Sequence, residues 1–351
     1  MAQERTAQKR DFITWQDWTP AELRELVTLA RDLKSGRATG SLHGKVVALY
    51  FMNPSLRTRA STESACARLG ARAITLDAGS GGVWGLEHRD GVKMDGQAAE
   101  HIREAAPVLA RYADAICVRA FPRLEKWAED EAEPILRAFG RHSPKPIVSL
   151  EGSSRHPLQG LADAQTLLEK GAKGQKLVVS WAPHPKPLPM CVTNSAVEAG
   201  ALAGMDVVVA HPPGWELDAK VLTGAESIAR TSGGKVSVTH DQDAALRGAH
   251  FVYAKSWGAL SCYGEWPREA EERKKHTSWM PTLKRLGSAK FMHCLPTRRD
   301  VEIAAEVLDS PQSIVIDEAE NRLWTVMAVL LRVLGGAVEV TESAPSGPLL
   351  A

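Results

Sequence analysis

A chain of 351 residues is too long for one ordinary core, so two domains are expected. With 44% apolar and 24% charged residues it is neither disordered nor fibrous, and a formal net charge of +1 gives no reason to expect nucleic acid or an anionic membrane as a partner. Five scattered cysteines without a C-x-x-C pair offer no zinc site and fit a reduced cytoplasmic setting, as does a polar N-terminus lacking the apolar core of a secretory signal.

Residues 45–51 are the first apolar run and predict a strand. Ser55, Arg57, Thr58 and Arg59 follow it, placing two guanidinium groups and two hydroxyls just past the strand's end. If residues 60–69 continue as a helix, free backbone N–H groups of its first turn add to an anion trap, because guanidinium forks match phosphate oxygens in pairs. Read alone, the segment is equally a solvated basic turn. Further runs at 73–77, 115–119, 146–150, 176–181, 206–210, 235–239, 251–254, 290–293 and 313–316 read as strands separated by helix-length segments. Strands apolar on both faces signal parallel sheets covered by helices, so the fold class is α/β with two domains, each a parallel sheet.

The loop 78–96 carries six glycines and Trp84 without helical or strand period. Its Trp84 either closes over a site, docks on a neighbouring subunit or pins its own loop. A helix near 161–170 ends at Gly171, which sets a first domain over 1–155 and a second over 156–317. The last helical segment, 318–337, is expected to pack back on the first domain. Its apolar stretch contains Arg332 and two glycines and falls short of a membrane span. The tail 341–351 offers no packing face and is expected to be disordered.

In open parallel sheets ligands gather beyond the carboxyl ends of the strands. At those exits stand Arg119, Glu151, His156, Gln159, His184, Lys186, Lys255, Cys294, Arg298 and Arg322. Each has an ordinary explanation as a turn or surface residue, and Cys294 as a small buried one. Together, cations converging on one edge would repel each other unless an anion sat between them, so a phosphate-bearing substrate is the economical inference. No phosphate loop, dinucleotide fingerprint or catalytic-metal motif is present. What remains is group transfer from a small phosphorylated donor without cofactor or metal, by fixed positive charge.

Ser55-Leu56-Arg57-Thr58-Arg59, His156-Pro157-Leu158-Gln159 and His293-Cys294-Leu295-Pro296, in this order, resemble the three signature segments of the aspartate/ornithine carbamoyltransferase family. The resemblance implies a carbamoyl phosphate domain, an amine-substrate domain and a homotrimer with shared active sites. It further implies that Ser55, Leu56, Arg57, Thr58, Trp84, Arg119, His156, Gln159, Cys294, Leu295 and Arg322 bind carbamoyl phosphate, with Arg57, Thr58, Arg119 and His156 catalytic. Where ornithine enzymes carry an Asp and a Ser-Met-Gly loop, this chain reads Lys255-Ser256-Trp257-Gly258, a poor partner for an ammonium and a good one for a carboxylate. That looks like the N-acylornithine branch of arginine biosynthesis, with Glu151, His184, Lys255, Leu295 and Arg298 around the acylornithine. Ala99 stands where N-acetylornithine enzymes carry Glu and N-succinylornithine enzymes Pro. Lacking that Glu, the chain is expected to favour N-succinylornithine, with N-acetylornithine as the alternative and free ornithine or a silent binding relative behind it. Glu302 is left open, either functional or a solvated surface group.

Overall fold

The run 46–51 has no polar face, so it can lie only inside a sheet with helices on both sides. In the computed structural model, which describes residues 9–78 and 85–341, this is what is found. Strands β1 (Val46–Phe51), β2 (Arg72–Asp77), β3 (Ala115–Arg119) and β4 (Ile147–Glu151) form an all-parallel sheet in the order β2-β1-β3-β4. A second all-parallel sheet holds β5 (Lys176–Trp181), β6 (Asp206–Ala210), β7 (Lys235–Thr239), β8 (Phe251–Lys255) and β9 (Lys290–Met292), in the order β7-β6-β5-β8-β9. Strands β3, β4 and β8 are buried at every residue, whereas the edge strands β2 and β7 carry exposed residues, among them Arg72 and Asp77 in β2 and Lys235 and Ser237 in β7.

Five helices position the site. Helix α1 (Pro20–Ser35) begins with Pro20 after the N-cap Thr19, which forms a reciprocal capping box with Glu22. Helix α2 (Leu56–Arg68) starts from the extended residue Ser55, whose Oγ accepts from the Thr58 amide. Helix α3 (Pro157–Glu169) and helix α4 (Cys191–Leu202) are buried almost all round, and α3 leads from the first sheet towards the second. Helix α5 (Val315–Leu334) packs against α1, α2 and α3, so a residue from the chain's end reaches elements from its beginning.

The helices expected at 60–69, 161–170 and 318–337 start earlier than their apolar periodicity shows: the Ser55 cap sets the first at Leu56, Pro157 opens the second, and the third begins at Val315 without a side-chain cap. The run 313–316 is not a strand. Ser313 makes one bridge to Phe291, and from Val315 the chain is helical, with Asp317 and Glu318 favouring the helix start. Part of the 78–96 loop does pair, Leu86–Glu87 running parallel to Glu100–His101. Trp84 and the tail 342–351 lie outside the described residues. Among the described residues no helix is long and apolar enough to cross a membrane.

In the first sheet the strand order reverses between β1 and β3, and in the second between β5 and β8. Chains leaving such neighbours depart to opposite faces and open a crevice beyond the carboxyl ends. Both crevices contribute to one cavity.

Candidate active site

A cavity of about 370 Å³ is lined from the first half by Ser55, Arg57, Thr58, Arg119 and Glu151, from the N-cap and first turn of α3 by His156 and Gln159, and from the second half by His184, Lys186, Lys255, Cys294, Leu295, Arg298 and Glu302. Arg322 of α5 completes it. Cations more than 260 residues apart in sequence therefore share one space.

Arg322 is the hub. Its Nη1 lies 2.8 Å from His156 Nε2 and 2.8 Å from Gln159 Oε1, and its Nη2 donates to Thr58 Oγ1 at 3.1 Å. Burial, then the repulsion of Arg322, Arg119 and Arg57, holds the His156 imidazole well below its ordinary pKa, so the ring is neutral and accepts at Nε2. Its Nδ1 is buried and finds no partner among the described residues. Because the Thr58 hydroxyl accepts from Arg322, its own proton is available to another acceptor.

The orientation of Gln159 is fixed from behind. Its amide nitrogen donates to Asp163 Oδ1 at 2.7 Å and to Glu318 Oε1 at 3.1 Å, which turns its oxygen to Arg322. Asp163 and Glu318 are fully buried and hydrogen-bonded to each other; burial pushes Asp163 up to about 7 and Glu318 well above the carboxylate range, so the pair retains a proton at neutral pH.

Arg119 ends β3 at a register irregularity that sets it opposite Glu151 instead of Leu150, and the two side chains form a buried ion pair. Glu151 also lies 3.5 Å from His156 Nε2 and accepts from the Cys191 thiol at 3.3 Å. Arg57 makes no ion pair among the described residues; burial lowers its pKa from the ordinary arginine value, though not enough to discharge it. At the other end Lys255 Nζ lies 3.4 Å from Glu302 Oε1, and the same carboxylate accepts from Thr297 Oγ1 at 3.2 Å and faces His293 Nε2 at 3.3 Å. Burial works against both charges, yet Lys255 and His293 hold Glu302 below the usual carboxylate range, and Glu302 holds Lys255 above the usual lysine value. His184 accepts at Nε2 from Arg298 Nε at 3.2 Å and is kept neutral chiefly by burial.

Most of the residues expected from sequence thus meet. Leu56 does not line the cavity and is 78% exposed. Ala99 is also outside it, its amide bonded to Gly85 O at 2.9 Å. Glu302, left open between a functional and a solvated role, is buried and clamps Lys255. Phe121, Cys191 and Thr297 line the cavity without having been singled out; Phe121 and Thr297 stand in strand-exit segments, but nothing in the sequence around Cys191 marks it.

Two doubly wound parallel sheets sharing one cationic cleft define an α/β protein suited to small anionic ligands. The carbamoyl-P binding domain model of aspartate/ornithine carbamoyltransferases matches residues 10–169, and the Asp/Orn binding domain model matches residues 190–333. The chain belongs to the aspartate/ornithine carbamoyltransferase family. It is 41% identical over 334 residues to the N-acetylornithine carbamoyltransferase of Xanthomonas campestris pv. campestris, covering 93% of this chain and 98% of the relative. It is also 41% identical over 293 residues to the N-succinylornithine carbamoyltransferase of Bacteroides fragilis, covering 83% and 87%. Identity to the ornithine carbamoyltransferase of Pyrococcus abyssi is 38% over 338 residues, covering 93% and 96%. A crystal structure of an N-acetyl-L-ornithine transcarbamylase with one glutamate replaced by alanine, complexed with carbamyl phosphate and N-succinyl-L-norvaline, superposes with a TM-score of 0.88 at 41% identity, covering 92% of this chain and 99% of that one. An acetylornithine transcarbamylase complexed with acetylcitrulline matches equally, at a TM-score of 0.88 and 41% identity, with the same 92% and 99% coverage.

Proposed function

We propose that the protein transfers the carbamoyl group of carbamoyl phosphate to the δ-amine of an N-acylated ornithine, N-succinylornithine in preference to N-acetylornithine, giving an N-acylcitrulline and phosphate for arginine biosynthesis. The observation that carries the reading is the charge of the cavity. Arg57, Arg119, Lys186, Lys255, Arg298 and Arg322 line it against the carboxylates Glu151 and Glu302, with both lining histidines neutral, which leaves four positive charges. Dianionic carbamoyl phosphate and the two carboxylates of N-succinylornithine, with the δ-amine neutral for attack, supply four negative ones. N-acetylornithine supplies one fewer, and free ornithine adds an ammonium that Lys255 and Arg298 repel.

In this reading Ser55, Arg57 and the amides opening α2 hold the phosphate, the helix start contributing its partial positive charge. Arg119, Thr58 and His156 donate to the carbonyl oxygen as it becomes an oxyanion, with Arg322 and Gln159 keeping His156 and Thr58 in place. The δ-nitrogen lone pair forms the new bond to the carbamoyl carbon, the tetrahedral intermediate expels phosphate with the electrons of the C–O bond, and the departing phosphate takes the amine proton. The cavity supplies no free carboxylate base, since Glu151 is paired with Arg119 and Glu302 with Lys255. Lys255, Arg298, His184 and Lys186 receive the substrate's carboxylates.

Ala99 lies outside the cavity of its own chain, so its influence on the acyl group requires a second copy, and we take the active form to be a homotrimer with shared sites. Trp84, expected to reach a neighbouring site, falls outside the described residues. Free thiols throughout fit a cytoplasmic setting. The deciding experiment measures ureido product from carbamoyl phosphate with N-succinylornithine, N-acetylornithine and ornithine in parallel. The highest kcat/KM is expected for N-succinylornithine; equal use of free ornithine overturns the reading. Ala99→Glu is expected to reduce use of the succinyl substrate selectively, and a monomer in sedimentation at assay concentration would contradict the shared site.

A further inference from the structure

Strands β6 and β7 pair in register up to Ala210 and Thr239, so the next residues, His211 and His240, leave adjacent strand ends side by side. The His211 amide continues the ladder to Thr239 O at 3.1 Å, and the two rings meet edge to face with centroids 4.9 Å apart. Beyond His211 the turn Pro212-Pro213-Gly214 reverses the chain, with Gly214 at φ 91°, and brings Glu216 back to the same place. One nitrogen from each imidazole and one Glu216 oxygen lie within 4.8 Å of one another. None of the three residues lines the active-site cavity.

The surroundings prepare these groups as ligands. His211 Nδ1 lies 2.8 Å from Pro212 O and His240 Nδ1 lies 3.0 Å from His211 O, contacts that place the proton on Nδ1 and leave the Nε2 lone pair free. A backbone carbonyl on the far nitrogen is the arrangement that fixes the tautomer and raises the basicity of a metal-bound histidine. Burial keeps His211 neutral, and the Gly214 amide donates to Glu216 Oε1 at 3.0 Å, holding that carboxylate in its charged form below the usual range against the burial that opposes it. Neutral imidazoles with a carboxylate suit borderline transition-metal ions and not magnesium or calcium, which prefer all-oxygen shells.

We propose that His211, His240 and Glu216 form a binding site for one transition-metal cation of the Zn²⁺ type, separate from the catalytic cleft, with a fourth position open to water. An ion about 2.0–2.1 Å from each ligand draws the donor atoms to roughly 3.3 Å apart, a closure that the exposed side chains of His240 and Glu216 make by rotation. The bound ion cross-links the ends of β6 and β7 with the turn between them. The ring of His211 also lies edge-on to Trp257, with centroids 6.4 Å apart, two residues from Lys255, so the cross-link braces the strand end that carries a substrate cation.

The test is calorimetric titration of the metal-free full chain with Zn²⁺, followed by the visible spectrum of the Co²⁺ form. Saturation at one ion per chain is expected, with a raised unfolding temperature and a Co²⁺ spectrum free of thiolate charge-transfer absorption. His240→Ala and Glu216→Ala change exposed residues, leave the fold intact by circular dichroism, and are each expected to weaken binding by about tenfold or more. Absence of saturable binding overturns the proposal. So does unchanged binding in the double variant, or a thiolate band, which assigns the metal to a cysteine.

Discussion

Arg322 Nη1 lies 2.8 Å from Nε2 of His156, so the imidazole accepts there and carries its proton on Nδ1. A neutral ring wedged among Arg322, Arg119 and Arg57 is a hydrogen-bond donor of fixed tautomer, suited to a carbonyl oxygen gaining charge. Nitrogen-detected NMR of labelled histidine is expected to show His156 as the Nδ1–H tautomer at pH 6. An imidazolium signal from His156 at that pH would overturn the assignment.

Donors to the oxyanion act mainly in the transition state. Thr58→Val removes a hydroxyl that already accepts from Arg322 and so has only its proton to offer substrate. Its kcat is expected to fall about a hundredfold or more with little change in KM for carbamoyl phosphate, and His156→Asn to behave alike. A rise in KM with kcat unchanged would instead make these residues ground-state binders.

Cys294 sits in a signature segment and lines the cavity, which invites a nucleophilic role. Burial pushes its thiol up to about 12, so almost no thiolate exists at neutral pH. Cys294→Ser is therefore expected to keep kcat within about tenfold, measured as ureido product, whereas a covalent mechanism requires near-complete loss.

Lys255 depends on Glu302 for its charge. Glu302→Gln takes away the carboxylate that offsets burial of the ammonium, so the lysine pKa falls and its grip on a substrate carboxylate weakens. KM for the acylornithine is expected to rise about tenfold or more while KM for carbamoyl phosphate stays near the wild-type value. An equal change in both would show general loss of structure.

Stability should vary with pH in two opposed ways. An unfolded histidine titrates near 6.5 while folded His156, His211 and His293 resist protonation through burial, so below about pH 6.5 the unfolded chain binds more protons and stability falls with acid. Asp163 and Glu318 keep protons when folded that unfolded carboxyls release above about pH 4, so their contribution declines as pH rises from about 4 towards 7. Asp163→Asn removes one of these opposed contributions. Its Tm is expected to climb more steeply than wild type between pH 5 and 7, and parallel curves would argue against the shared proton.

The periodic apolar runs were enough to specify two parallel sheets, because a strand with no polar face can be stable only when covered on both sides. Strand-exit positions likewise marked Arg57, Arg119, His156 and Lys255, since crevices in such sheets form where the chain leaves them. What the linear order could not contain was which of these groups meet and in what charge state. Packing of α5 against α1, α2 and α3 brought Arg322 to Thr58 and His156, and the register irregularity in β3 paired Arg119 with Glu151. The same holds for Glu302: in sequence it stands beside two arginines like any surface acid, and only burial against Lys255 and His293 made it part of the cleft. Residue type and period carry local preferences, whereas desolvation and charge pairing depend on neighbours that the fold alone supplies.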